Sequence, residues 1–193
     1  MEVRNTLRAL HTSGLGELAQ RYTMEAYRAD TPYRRKVRET AQRFVEAEEG
    51  WFFIAGQSGS GKTHICTAIC LELLKKRKGH LFLPWSEIST HLKTGVTERE
   101  SYEAELKRYK TVSVLHIDDF LKGSVSEADL RLAFDLLNAR YNRPSLRTVI
   151  SSERSLSEIL ALDEAIGGRI CERAAGFLVK APAENYRLHI GRS

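Results

Sequence analysis

Residues 56 to 63, "GQSGSGKT", bring glycines, a lysine and a hydroxyl together at the spacing G-x-x-x-x-G-K-[ST]. Gly56, Gly59 and Gly61 let a backbone close around a polyphosphate, pointing N–H groups inward at the positive end of a following helix; Gln57, Ser58 and Ser60 complete the cradle. Lys62 can reach the outer phosphates of ATP, and Thr63 can offer its hydroxyl to Mg2+, which takes hard oxygen ligands. His64 comes next and has a structural reading, although its place also puts it among the loop's contact residues.

Farther on, "VLHIDDF" (114 to 120) is an apolar run that stops on two adjacent carboxylates, Asp118 and Asp119. A phosphate loop needs a second strand whose C-terminal end brings a carboxylate to the metal, and Asp118 stands at such a place. Two roles are open to Asp119: orienting the water that attacks the γ-phosphate, or capping the next turn, as aspartate does in many proteins.

These groups must be positioned by strands and helices, and the pattern supplies both. "WFFIA" (51 to 55) reads as a short buried strand leading into the loop, and "HICTAICLELLKKRK" after it changes to a helical period. Further strands are expected at 80 to 84, 112 to 117, 146 to 151 and 176 to 181. A helix is expected from Pro32 with Thr31 as N-cap and Gly50 ending it, and capping-box signals open helices at Thr97, Ser126 and Ser155. Strands alternating with helices imply an α/β fold with a mostly parallel sheet covered on both faces.

The chain has 193 residues, a length suited to one domain, and a formal charge of +5, a mild bias towards polyanionic partners. The basic runs "RRKVR" and "KKRK" read as solvated helix faces. Three cysteines without paired spacing argue against a disulfide framework or zinc site, and Cys66 and Cys70, four apart, read as core residues. A reducing, cytoplasmic location fits, and no apolar run approaches the ~18 residues of a membrane span.

"GQSGSGKTH", "VLHIDDF", "VISSERSLSEIL" and "AIGGRICERA", in this order, resemble the AAA+ ATPase domain of DnaC-type replicative helicase loaders, phage-type members included, from about Tyr22 to Arg187. The resemblance implies a P-loop NTPase of the AAA+ type with a five-stranded sheet between helices and a reduced C-terminal lid. Residues 1–30 would be an N-terminal extension and 31–193 the ATPase domain, with a short segment after about 155. It also implies ATP with Mg2+, self-association through the ATP site, contact with single-stranded DNA, and delivery of a hexameric replicative helicase. Members usually begin with a helicase-binding region, for which the residues before Tyr22 leave little room.

By motif, Lys62 and Thr63 take the Walker A roles, and Asp118 and Asp119 the Walker B roles. The usual sensor 1 asparagine is replaced by Glu153, with Ser152 as the fallback; Arg187 matches a sensor 2 position. "GGRICERA" offers Arg169 and Arg173 as arginine fingers, and the resemblance favours Arg173. In the segment between the second and third strands, Lys93, Arg99, Lys107, Arg108 and Lys110 could meet DNA phosphates. Tyr102 and Tyr109 could stack on bases or simply belong to the core. The readings weighed beside a loader are a transposition helper ATPase of the IstB type, a small-molecule kinase, and a degenerate P-loop protein.

Overall fold

The computed structural model describes residues 19–76, 79–87 and 99–181. Its centre is a sheet of five strands, β1 (Trp51–Ala55), β2 (His80–Pro84), β3 (Val114–Asp118), β4 (Arg147–Ser152) and β5 (Leu178–Lys180). They lie in the order β2-β3-β4-β1-β5, and every neighbouring pair is parallel. Parallel strands are joined through crossover helices, which cover both faces and explain the near-continuous apolar strands. Helices α1 (Pro32–Glu46) and α2 (Lys62–Lys76) line one face; α3 (Arg99–Thr111), α4 (Glu127–Tyr141), α5 (Leu156–Leu162) and α6 (Glu164–Arg173) line the other.

The side-chain alternation of β1 divides the core. Phe52 and Ile54 meet Val37, Phe44, Ile65 and Ile69 below α1 and α2, while Trp51, Phe53 and Ala55 meet Leu136, Ile166 and Ile170 on the other face. The helix starts follow local chemistry. Thr31 accepts from the Arg34 N–H, and Ser126 and Ser155 each form a reciprocal capping box with Asp129 and Glu158. Thr97 lies outside the described residues. Helix α1 stops at Glu46, short of Gly50, because Ala47 turns extended; Gly50 instead takes φ 105 just before β1. Strand β3 starts two residues later than the apolar pattern suggests and includes Asp118.

Two buried arginines tie the layers together. Arg140 on α4 donates to the carbonyls of Tyr109, Val112 and Arg147 and to Thr148 Oγ1. It thereby caps the C-terminal end of α3. Arg147 donates to the carbonyls of Phe44 and Ala47 at the end of α1, and its guanidinium lies 4.0 Å over the Phe44 ring. Of the basic runs, Arg34 is buried against Asp30, while Lys75 and Lys76 pair with Glu72 and Glu46 on the surface. Cys66 and Cys70 are fully buried core residues. No described helix is long and apolar enough to cross a membrane.

His80 and His116, on adjacent strands, are buried with neither ring nitrogen hydrogen-bonded. Burial pushes both imidazoles down to about 3, so they stay neutral in the fold. The unfolded chain binds protons at these rings from about pH 6.5 downward, so their contribution to stability is intact above that value and is lost as pH falls towards 3. A urea-melt series across this window should show stability falling with acidification. His80→Leu should make that slope shallower by up to about 1.4 kcal/mol per pH unit, the value for one proton.

Candidate nucleotide site

The phosphate loop leaves the C-terminal end of β1 and enters α2, between two parallel strands that hold it from the side. Gly56 N–H donates to Ser152 O at the end of β4, and Ala181 N–H, just past β5, donates to Ala55 O. Gly56 is required by that close approach: a Cβ there would lie 2.2 Å from Ala181 Cβ. Gly59 and Gly61 take φ 78 and 87, left-handed values that a β-carbon disfavours. Thus Gly59 and Gly61 serve the loop's curvature, and Gly56 serves its seat on the sheet.

Lys62 is buried, and its Nζ donates to the carbonyls of Gly56 and Gln57 at 2.8 and 2.9 Å. Desolvation lowers its pKa, opposed by Asp119, Glu153 and Asp118. Ser60 Oγ is buried inside the loop without a hydrogen-bond partner, while Gln57 and Ser58 are exposed. A cation at the base, an unsatisfied buried hydroxyl and a loop curved by left-handed glycines suit a polyphosphate.

Thr63 Oγ1 lies 3.3 Å from both carboxylate oxygens of Asp118. These are oxygen donors only, and among the described residues no cluster of three metal-binding side chains exists. Such a set suits Mg2+, which keeps its waters and borrows phosphate oxygens. Asp118 is mostly buried, and desolvation raises its pKa, with hydrogen bonds from Ser151 and Thr63 pulling the other way.

Ser151 is the residue that sequence reasoning missed. Its hydroxyl donates to Asp118 Oδ1 and accepts from the Asp119 N–H at 3.0 Å, joining both acidic residues to β4. The only sequence signal is its place beside Ser152 at the end of a strand. Ser152, the fallback sensor, is turned the other way. Its buried hydroxyl donates to Phe120 O and accepts from Arg154 N–H, so it holds a turn rather than facing the loop. Glu153 does reach the mouth of the site, 3.0 Å from Lys122, and within electrostatic reach of Lys62.

Asp119 adopts φ 53, and its Oδ2 lies 2.8 Å from Lys122 Nζ. His64 has a packing role: it stacks on Tyr22, meets Tyr27 edge-on and contacts Thr23 O at 2.9 Å. The stretch just before α1 is therefore fastened to the start of α2, and Tyr27 passes close to Gly61.

Both candidate finger arginines lie on α6. Arg169 is used within the chain, donating to Asn138 Oδ1 and Ala165 O and lying over the rings of Phe134 and Tyr141. Arg173, in the last turn, donates to Pro144 O, and its own carbonyl lies beside Gly50, before β1. The phosphate loop lies after β1, a strand of five residues that spans about 17 Å. In the segment before β3, Lys107 and Arg108 are exposed, Lys110 pairs with Asp135, and Tyr102 and Tyr109 pack on the core, Tyr109 also donating to Glu105. Lys93, the Arg99 side chain and Arg187 lie outside the described residues.

Because the raised pKa of Asp118 means that the fold resists its ionised form, the carboxylate lowers stability above its titration. Asp118→Asn should therefore raise the thermal midpoint without nucleotide while weakening Mg2+-dependent ATP binding. Ser151→Ala should lower stability by about 1–3 kcal/mol, through the unpaired Asp119 N–H, and raise the Asp118 pKa, readable by carboxyl NMR titration.

Among curated proteins the chain is 36% identical over 144 residues to the uncharacterized protein YqaM of Bacillus subtilis, covering 70% of this chain and 44% of that protein. It is 31% identical over 150 residues to the insertion sequence IS232 putative ATP-binding protein of Bacillus thuringiensis, covering 76% and 58%. To the replicative helicase loader DnaC of Escherichia coli K12 it is 26% identical over 172 residues, covering 86% and 68%. The chain thus spans about half the length of the first of these relatives. The solved structure of DnaI superposes with a TM-score of 0.73 at 23% identity, covering 89% of this chain and 93% of that one, so the fold is that of an AAA+ P-loop NTPase. Residues 2–189 match the family described as IstB-like ATP binding protein, and the chain is a member of that family.

Proposed function

We propose that the chain is an Mg2+-dependent ATPase of the helicase-loader kind, in which ATP acts as an assembly switch. Lys62 and the loop N–H groups hold the phosphates, Thr63 and Asp118 hold the metal, and Asp119 orients the attacking water. Bound Mg2+ neutralises developing charge on the phosphates. The observation that carries this reading is the separation of Arg173 from its own phosphate loop by the length of β1. A site with a lysine and two carboxylates, from which Arg173 stands apart by the length of β1, suits completion by a neighbouring subunit. Arg169, bound to Asn138 and two aromatic rings, is the poorer finger.

The loader assignment is supported by the similarity to DnaC over 86% of the chain. Its partners are then a hexameric replicative helicase and single-stranded DNA, with Lys107 and Arg108 as the exposed phosphate contacts before β3. The similarity to the IS232 protein favours a second reading, a transposition helper that binds duplex DNA.

The chain mixed with its replicative helicase and circular single-stranded DNA should load the ring only with ATP. Preference for duplex DNA and no helicase complex would favour the transposition reading. Lys62→Ala should abolish ATP binding in a fluorescent-nucleotide titration. Arg173→Ala should keep ATP affinity while lowering assembly-dependent turnover by about 10³-fold; turnover that stays high and independent of protein concentration would sink the shared-site mechanism.

A further inference from the structure

Asp118, Asp119 and Glu153 all act electrostatically on Lys62 of the phosphate loop. A second cation, Lys122, stands between two of them. Its Nζ lies 2.8 Å from Asp119 Oδ2 and 3.0 Å from Glu153 Oε1, bridging the two. Both carboxylates raise the Lys122 pKa, as a shared ammonium requires.

The bridge is built into a turn that has little freedom. Asp119 and Leu121 both take left-handed φ values, 53 and 54, which a β-carbon disfavours. The end of β4 holds them there. Phe120 N–H donates to Ser151 O, Phe120 O accepts from Ser152 Oγ, and Arg154 donates to the carbonyls of Leu121 and Gly123. Lys122 therefore projects from a backbone fastened to β4 at each side of it. Glu153 leaves that same strand end, so the distance between Lys122 and its two partners is set by the sheet.

A carboxylate oxygen already accepting from an ammonium is a poor acceptor for a proton from water. We propose that Lys122 is a positioning residue: anchored on Glu153, it holds Asp119 away from the hydrolytic water, and the phosphates of a bound nucleoside triphosphate, competing for its ammonium, release Asp119 only part of the time. This rests on the reading of Asp119 as the water-orienting carboxylate. The bridge is half exposed, with side-chain accessibilities of 45% for Lys122, 37% for Asp119 and 32% for Glu153, so it is weak enough for a polyphosphate to displace. Salt should loosen it in the same way.

The test compares Lys122→Met, Lys122→Arg, Glu153→Gln and Asp119→Asn in the full chain, measuring kcat, KM and fluorescent-ATP affinity at low and high salt. Lys122→Met should raise basal kcat by about fivefold while weakening ATP affinity severalfold through the lost phosphate contact, and Glu153→Gln should raise kcat by about twofold with affinity retained. Lys122→Arg should restrain turnover again. Wild-type kcat should rise with salt more than that of Lys122→Met. An unchanged or lower kcat in both Lys122→Met and Glu153→Gln, with Asp119→Asn inactive, overturns the latch while sparing the ATPase reading. Hydrolysis undiminished in Asp119→Asn sinks that reading, and the latch with it.

Discussion

One hydroxyl, on Ser151, joins the two acidic residues of the site to the strand beside them. It donates to Asp118 and accepts from the backbone of Asp119, and this works only because β3 and β4 run parallel and in a fixed register. β4 pairs in turn with β1, placing Ser152 O to receive the Gly56 N–H where the phosphate loop begins. Asp118, the turn after it and the start of the phosphate loop thus lie side by side at the C-terminal ends of β3, β4 and β1. A buried carboxylate is unfavourable without such partners, and Asp118 has them from Ser151 and Thr63.

The same edge explains why polar residues end otherwise apolar strands. Ser151 and Ser152 are the same residue type side by side, yet they serve separate groups: Ser151 the acidic pair, and Ser152, together with Arg154, the carbonyls of the turn. Backbone strain at Asp119 and Leu121 persists because these bonds over-determine the turn. On the opposite side of the molecule, Arg140 and Arg147 perform the comparable service for helix ends, satisfying carbonyls that would otherwise be buried without donors. Rigidity around the site and rigidity of the layers come from the same device, side-chain donors spent on backbone carbonyls.

Much of this arrangement is legible in the order of the residues. The strand, loop and helix around Lys62, the N-caps at Thr31, Ser126 and Ser155, and the end of a strand at Asp118 all depend on residues near one another in the chain. Short-range spacing carries that information, because periodicity and capping are local. Ser152 and Arg169 are less legible. Each has a side chain suited to a phosphate, and only the packing reveals that the first is spent on Phe120 and Arg154 and the second on Asn138 and two rings.

By itself the sequence determined a phosphate loop, a carboxylate opposite it and an α/β arrangement to hold them, since each follows from residue type at fixed local spacing. Tertiary structure alone decided which hydroxyl meets Asp118, which cation holds Asp119, and that Arg173 lies at the other end of β1 from the loop. Those contacts join residues 3 to more than 30 positions apart, and their geometry depends on sheet register and on left-handed turns imposed from a neighbouring strand. Neither is written in the spacing of the residues they bring together.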